Sequence, residues 1–205
     1  MTSKRIGRVM STEIVRVVPN PGMPGAVLPP RAPDLAFEVY SEPIPQGSLK
    51  PVRRGTKLGV VSDNPRTAGW RERVAYTALA AQGAGWTPFD GPVVLAVEFY
   101  MPRPKGHPKT IRTVPMTKPD VDKLARAVGD ALTAAGTYED DSRIIDLVAR
   151  ARYAAPDPRL ALPWEPTVAS ARIGVWHVTA EDTWDDQPLI PLPEPTGLFD
   201  FEALA

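Results

Sequence analysis

The chain has 205 residues, 43% of them hydrophobic and 23% charged, with equal numbers of basic and acidic side chains. That is enough for one well-buried core with extensions. The absence of cysteine excludes disulfides, thiolate zinc sites and cysteine nucleophiles, and two histidines are too few for a histidine-built metal centre. No apolar run approaches the ~18 residues of a membrane span, and the first residues lack the apolar stretch of a secretory signal, so a cytoplasmic setting is expected.

Proline, at 25 residues, is over-represented and crowded toward both ends. Residues 1–34 contain Pro19, Pro21, Pro24, Pro29, Pro30 and Pro33, which no helix or central strand sustains, so a disordered extension is expected apart from an isolated strand at 13–18. The folded core is expected at 35–178. Residues 35–40 alternate apolar and polar as a strand does. Residues 43–51 read as a loop leading to Arg53, Arg54 and Lys57, and 58–61 as a short strand. Asn64-Pro65 opens a helix over 66–82, with Trp70, Val74, Thr77 and Ala78 or Ala81 at helical spacing. Residues 93–100 form an apolar strand, and 101–118 a basic loop. A second helix follows over about 119–135, then strands at 144–153 and 171–178. Strands mixed with two helices imply an α+β domain, a mixed sheet with both helices packed on it. Residues 179–205 carry Glu181, Asp182, Asp185, Asp186, Glu194, Asp200 and Glu202 with no Lys or Arg, an acidic Pro-rich tail expected to be disordered.

The chemistry concentrates in Lys118-Pro119-Asp120-Val121-Asp122-Lys123-Leu124-Ala125-Arg126 and the helix it opens. Pro119 suits a first helical turn, where its missing N–H costs nothing. Val121, Leu124, Val128, Ala131, Leu132 and Ala135 make an apolar stripe, and Asp122, Arg126, Asp130 and Thr133 fall on the polar side. Two aspartates at a helix start have an ordinary explanation, since acidic groups there gain about 0.3–1 kcal/mol from the helix dipole. The surroundings favour a functional one. Glu139-Asp140-Asp141 closes the connection after the helix, and Arg103, Lys105, Lys109, Arg112 and Lys118 line the loop before it. Carboxylates hold Mg²⁺ through oxygen, and basic residues neutralise nucleic-acid phosphates. Lys50, Arg53, Arg54 and Lys57 could track the same backbone or form a solvated loop. His177, in an apolar strand, reads as structural. Phe99 and Tyr100 read as the end of a core strand.

The stretch from Lys118 to Ile144, KPDVDKLARAVGDALTAAGTYEDDSRI, resembles the RusA family of Holliday junction resolvases, as do the upstream PIPQGSLKP and NPRTAGWRERV segments. The resemblance spans about 36–178. It implies a homodimeric endodeoxyribonuclease that binds four-way DNA and makes paired cuts in opposed strands with Mg²⁺ or Mn²⁺. The family's metal-binding aspartates fall on Asp120, Asp122 and Asp141, its helix Asp on Asp130, and the Asp before the last carboxylate on Asp140. Lys50, Arg53, Arg54, Lys105, Lys109, Arg112, Lys118 and Lys123 would contact DNA. Two positions depart from the family pattern: Lys123 replaces its Asn, and Arg126 its catalytic Lys. Arg126 stays charged and can stabilise a phosphate, but it cannot act as a base. Alternatives are a catalytically impaired branched-DNA-binding protein and a metal nuclease for flaps or another branched substrate. The Leu198-Phe199 segment resembles short peptides that dock on bacterial sliding clamps, although a solubilising tail is the favoured explanation.

A geometric question accompanies the aspartates. A helix over 120–135 is about 22 Å long at ~1.5 Å per residue, yet Asp141 comes six residues after its end. Either residues 136–140 double back along the helix, or Asp141 meets the Asp120/Asp122 pair of a partner subunit.

Overall fold

The structure is a computed structural model, and it describes residues 28–29, 31–47, 49–54, 57–62, 64–108, 113–155, 161–180 and 182. The strand expected at 13–18, Lys109, Arg112 and the Leu198-Phe199 segment lie outside the described residues.

A four-stranded sheet in the order β1 (Leu35–Val39), β6 (Ser170–His177), β4 (Val93–Met101), β5 (Ile144–Tyr153) forms the frame. β6 pairs antiparallel with both β1 and β4, while β4 and β5 run parallel. A parallel neighbour needs a crossover connection, and this one contains helix α2 (Val121–Ala134). Helix α1 (Arg66–Gln82) packs against α2 and β1. The expected α+β architecture, a mixed sheet carrying two helices, is therefore present.

One sheet face and the two helices enclose the core. Val93, Leu95, Val97, Phe99 and Met101 alternate inward along β4 and meet Trp70, Val74 and Ala78 of α1 and Leu124, Val128 and Leu132 of α2. Each Val, Leu, Phe or Met side chain among them contributes about 1.5–3 kcal/mol when fully buried. On the opposite face, the row Glu38, Arg172, Glu98 and Arg150 is in register across all four strands, with Arg172 3.3 Å from Glu38. Tyr100 is fully buried there and donates to Glu98 at 3.1 Å.

Several expectations need correction. The basic segment at 49–54 is a strand, not a loop. β2 (Leu49–Arg54) and β3 (Lys57–Ser62) pair antiparallel as a separate hairpin, with two residues between them. So short a connection can itself set strand register, and Pro51 is tolerated because a two-stranded ribbon leaves one edge of each strand free of ladder bonds. In α1 the first buried residue is Thr67, whereas Thr77 and Ala81 are not buried. Helix α2 begins at Val121, so Pro119 precedes the helix and Asp120 is its N-cap. Val121 is 39% exposed and does not belong to the buried stripe.

Both flanks of the core are tied together. The Arg31 guanidinium meets Asp34 at 2.8 Å and Asp182 at 3.0 Å, and it donates to the carbonyl of His177. The Trp176 indole donates to the Arg31 carbonyl at 2.9 Å. His177 stacks on Phe89 at 5.1 Å, in keeping with a structural role. Among the described residues, no helix is long and apolar enough to cross a membrane.

Candidate metal and nucleic-acid site

The sequence starts α2 with Asp120 in extended backbone (φ −70°, ψ 135°). An N-cap aspartate ordinarily accepts a hydrogen bond from an N–H of the first turn. Asp120 makes no such bond. Its exposed carboxylate lies 3.6 Å from the Lys123 ammonium instead. Direct capping therefore does not explain Asp120. Asp122 is exposed in the first turn of the same helix.

Two upstream segments converge on this helix end. The backbone N–H of Gln46 donates to the Lys123 carbonyl at 2.9 Å. The neighbouring Pro45 carbonyl accepts from the Thr67 hydroxyl at 2.9 Å and from the Asn64 amide at 3.5 Å. Asn64 in turn accepts from the backbone N–H of Arg66, closing the start of α1. A chain of hydrogen bonds thus runs from the first turn of α1 through the 42–47 segment to the first turn of α2. Thr67, Asn64 and the Gln46 backbone join these segments, a connection that the helical pattern alone does not reveal. The available signal is Asn64-Pro65-Arg66-Thr67, a capping residue and a hydroxyl flanking a proline at a helix start.

Farther along α2, Arg126 is exposed one turn beyond Asp122. Asp130 lies 3.5 Å from Arg71 of α1, a second tie between the helices.

After α2 the chain turns at Gly136 (φ +63°), a left-handed conformation that glycine adopts without strain. It then runs back along the helix. The buried Tyr138 hydroxyl donates to the Gly129 carbonyl at 3.2 Å. Burial, then the nearby Asp141, Asp130 and Asp140 carboxylates, push the Tyr138 phenol above its ordinary range. Asp140 caps the short 3-10 turn Asp141–Arg143 by accepting from the Ser142 N–H at 3.0 Å. Hydrogen bonds from Ser142 hold the Asp140 carboxyl below the usual carboxylate range. Arg143 bonds to the Asp90 carbonyl and to Glu139, fixing the other side of the turn.

The doubling back brings Asp141 only to the middle of α2. A Cβ at Gly129 would lie 3.8 Å from the Asp141 Cβ, and Gly129 is seven residues, roughly 10 Å of helix, beyond Asp122. Among the described residues, no three His, Cys, Asp or Glu side chains come together as a metal-holding group. The chain thus supplies a carboxylate pair at one end of α2 and a third carboxylate near its middle.

The other basic residues singled out in the sequence lie on the β2–β3 hairpin and on the connection between β4 and α2. Arg53 is exposed on β2, the strand that also carries Lys50 and Arg54. Lys105 and Lys118 are exposed on the connection between β4 and α2. His107 packs edge-on against Tyr153, 5.2 Å between ring centres, and contacts Thr113.

Comparison with known proteins gives two findings. The family model described as "Endodeoxyribonuclease RusA" matches residues 41–162. An "Uncharacterized protein YqaN" of Bacillus subtilis (strain 168) is 31% identical over 135 residues, which cover 62% of this chain and 92% of that protein. The matched family span includes the converging segments, the aspartates and the 3-10 turn.

Proposed function

The chain belongs to the RusA endodeoxyribonuclease family, and from that premise we propose that it is a divalent-metal-dependent endonuclease that resolves four-way DNA junctions as a homodimer, by paired cuts in opposed strands. The observation that carries this reading is the Asp120 carboxylate. It stands at an N-cap without capping, next to exposed Asp122, where two other segments of the family match converge.

Asp120 and Asp122 are hard oxygen donors, the type that Mg²⁺ and Mn²⁺ prefer. Within one chain they make only a pair. We assign the third ligand to Asp141 of the partner subunit. A two-fold axis across the middle of α2 would set the Asp120/Asp122 end of each subunit against the Asp141 turn of the other, an isologous contact. The α2/β5 flank suits such a contact. β5 is an edge strand, and Ile145 (56%) and Leu147 (47%) are exposed on it. Exposed apolar groups on a free strand edge invite pairing. Asp120, Asp122 and the partner subunit's Asp141 would hold a divalent ion, which would supply Lewis acidity toward the scissile phosphodiester. Arg126 stabilises charge developing on the phosphate. Lys118, Lys105 and the hairpin residues Lys50, Arg53 and Arg54 neutralise flanking phosphates and orient the strand. Lys109 and Arg112, on the same connection, are assigned this role from the sequence.

A second reading keeps the same DNA surface without cutting. It is favoured by one observation, Arg126 in place of the family's lysine. Cleavage of a synthetic four-way junction beside matched linear duplex, with and without Mg²⁺, separates the readings. Paired nicks confined to the junction and lost in Asp122→Asn support the resolvase. Tight junction binding without cutting in Mg²⁺ or Mn²⁺ supports the binding protein. Equal cutting of flaps or linear duplex shifts the substrate class.

A further inference from the structure

We propose that Lys123 acts as a tethered cation that occupies Asp120 in the free protein and gives way when DNA docks, so that metal binding depends on substrate. This rests on the reading of Asp120 as a metal ligand.

The Lys123 ammonium lies 3.6 Å from the Asp120 carboxylate. Asp120 has no competing hydrogen bond to the helix N-terminus. The contact also has a fixed base, because the Lys123 carbonyl is held by the Gln46 N–H at 2.9 Å. That bond anchors the lysine backbone to the 42–47 segment and, through Pro45 and Thr67, to α1. Only the flexible side chain remains to move. Both partners are about half exposed, so the pair is weak, as surface ion pairs are. A weak pair suits a placeholder. A divalent ion at Asp120 would sit within a few ångströms of the ammonium, a repulsion that penalises metal binding until the lysine swings away. A DNA phosphate arriving at the same helix end offers Lys123 a new anion. By linkage, DNA then strengthens metal binding and the metal strengthens DNA binding to the same degree.

The test measures Mn²⁺ binding directly, by the paramagnetic signal of free Mn²⁺, on the full chain. Wild type is compared with Lys123→Asn and the charge-keeping Lys123→Arg. Without DNA, Lys123→Asn should bind Mn²⁺ roughly tenfold more tightly than wild type, the scale expected for one charge near a divalent ion in water. Lys123→Arg should stay close to wild type. A phosphorothioate-linked junction, with its own Mn²⁺ uptake subtracted, should tighten binding in wild type and do so far less in Lys123→Asn. Equal Mn²⁺ affinity of wild type and Lys123→Asn without DNA overturns the proposal while leaving Asp120 as a ligand. Mn²⁺ binding that is equally weak in Asp120→Asn and wild type, with and without DNA, overturns the ligand assignment itself and the proposal with it.

Discussion

Asp141 stands beside Gly129 at mid-helix, not beside Asp120 at the helix start: a Cβ at Gly129 would be 3.8 Å from that of Asp141. The distance along α2 between these points is what divides the three carboxylates within one chain. If the site is completed across a dimer, Asp120→Asn and Asp141→Asn are each inactive, yet mixing them restores nicking. Every mixed dimer then holds one site with all three carboxylates. Nicking of a labelled junction by the mixture, after subunit exchange, checks this. No recovery would place all three ligands in one subunit.

Gly129 itself separates packing from function. A Cβ there meets Ile144 at 3.5 Å and Asp141 at 3.8 Å, both ordinary contact distances. Gly129→Ala should therefore fit and raise stability by up to about 1 kcal/mol through helix propensity, with cutting retained. Gly129→Leu should displace the Asp141 turn and lower cutting. Thermal melting and junction cleavage, measured on the same preparations, distinguish the two effects. A loss of stability in Gly129→Ala would contradict the packing described.

Arg126 is exposed one turn beyond Asp122. As a fixed positive charge for the reacting phosphate, it should be worth about 100-fold in turnover. Arg126→Ala should lower cutting at saturating junction by that order while leaving junction affinity nearly unchanged, and Arg126→Lys should retain most activity. A faster Arg126→Lys enzyme whose rate rises with pH would show that this position works best with a group able to lose its proton. An undiminished Arg126→Ala rate would remove the residue from the mechanism.

The first turn of α1 should control the site from a distance. Thr67→Val keeps the shape of a buried side chain but deletes the hydroxyl bound to the Pro45 carbonyl at 2.9 Å. The loss should cost about 1–2 kcal/mol and should speed amide exchange at Gln46 and Leu124, whose N–H groups are bonded to the Lys123 and Asp120 carbonyls at the start of α2. Thr67→Ser should restore the exchange rate. Unchanged exchange at Gln46 and Leu124 in Thr67→Val would show that the 42–47 segment does not brace the helix.

Stability should fall at both ends of the pH scale for different reasons. Asp182, bonded to Arg31 and to the Thr179 N–H, and Asp140, bonded to Ser142, are both held below the ordinary carboxylate range. Their contributions are complete above about pH 4 and lost as pH falls through their lowered values. Tyr100 and Tyr138 are pushed up, by burial first. Their contributions are complete below about pH 10 and lost as pH rises through the raised values. Tyr138→Phe should flatten the alkaline arm of a melting-temperature profile, and Asp182→Asn the acid arm. A profile unmoved by either substitution would contradict these assignments.

The sequence by itself determined the elements and the chemistry on offer. The apolar run at 93–100, the Asn64-Pro65 start of α1 and the stripe of α2 from Leu124 onward are local patterns, set by side-chain periodicity and capping, and each forms where its residues indicate, with Met101 added to the strand and Val121 left out of the stripe. The carboxylates and basic residues of the candidate site were legible for the same reason, since a short motif carries its own spacing. Tertiary structure alone decided how those pieces meet. No local pattern shows that the Pro45 carbonyl collects the Thr67 hydroxyl, or that 49–62 closes on itself as a hairpin, because every such bond ends on a backbone carbonyl, a group that every residue possesses. No local pattern sets how far the 136–140 return travels along α2. That distance follows from the Gly136 turn and the Tyr138 anchor on Gly129, and it leaves Asp141 short of Asp120.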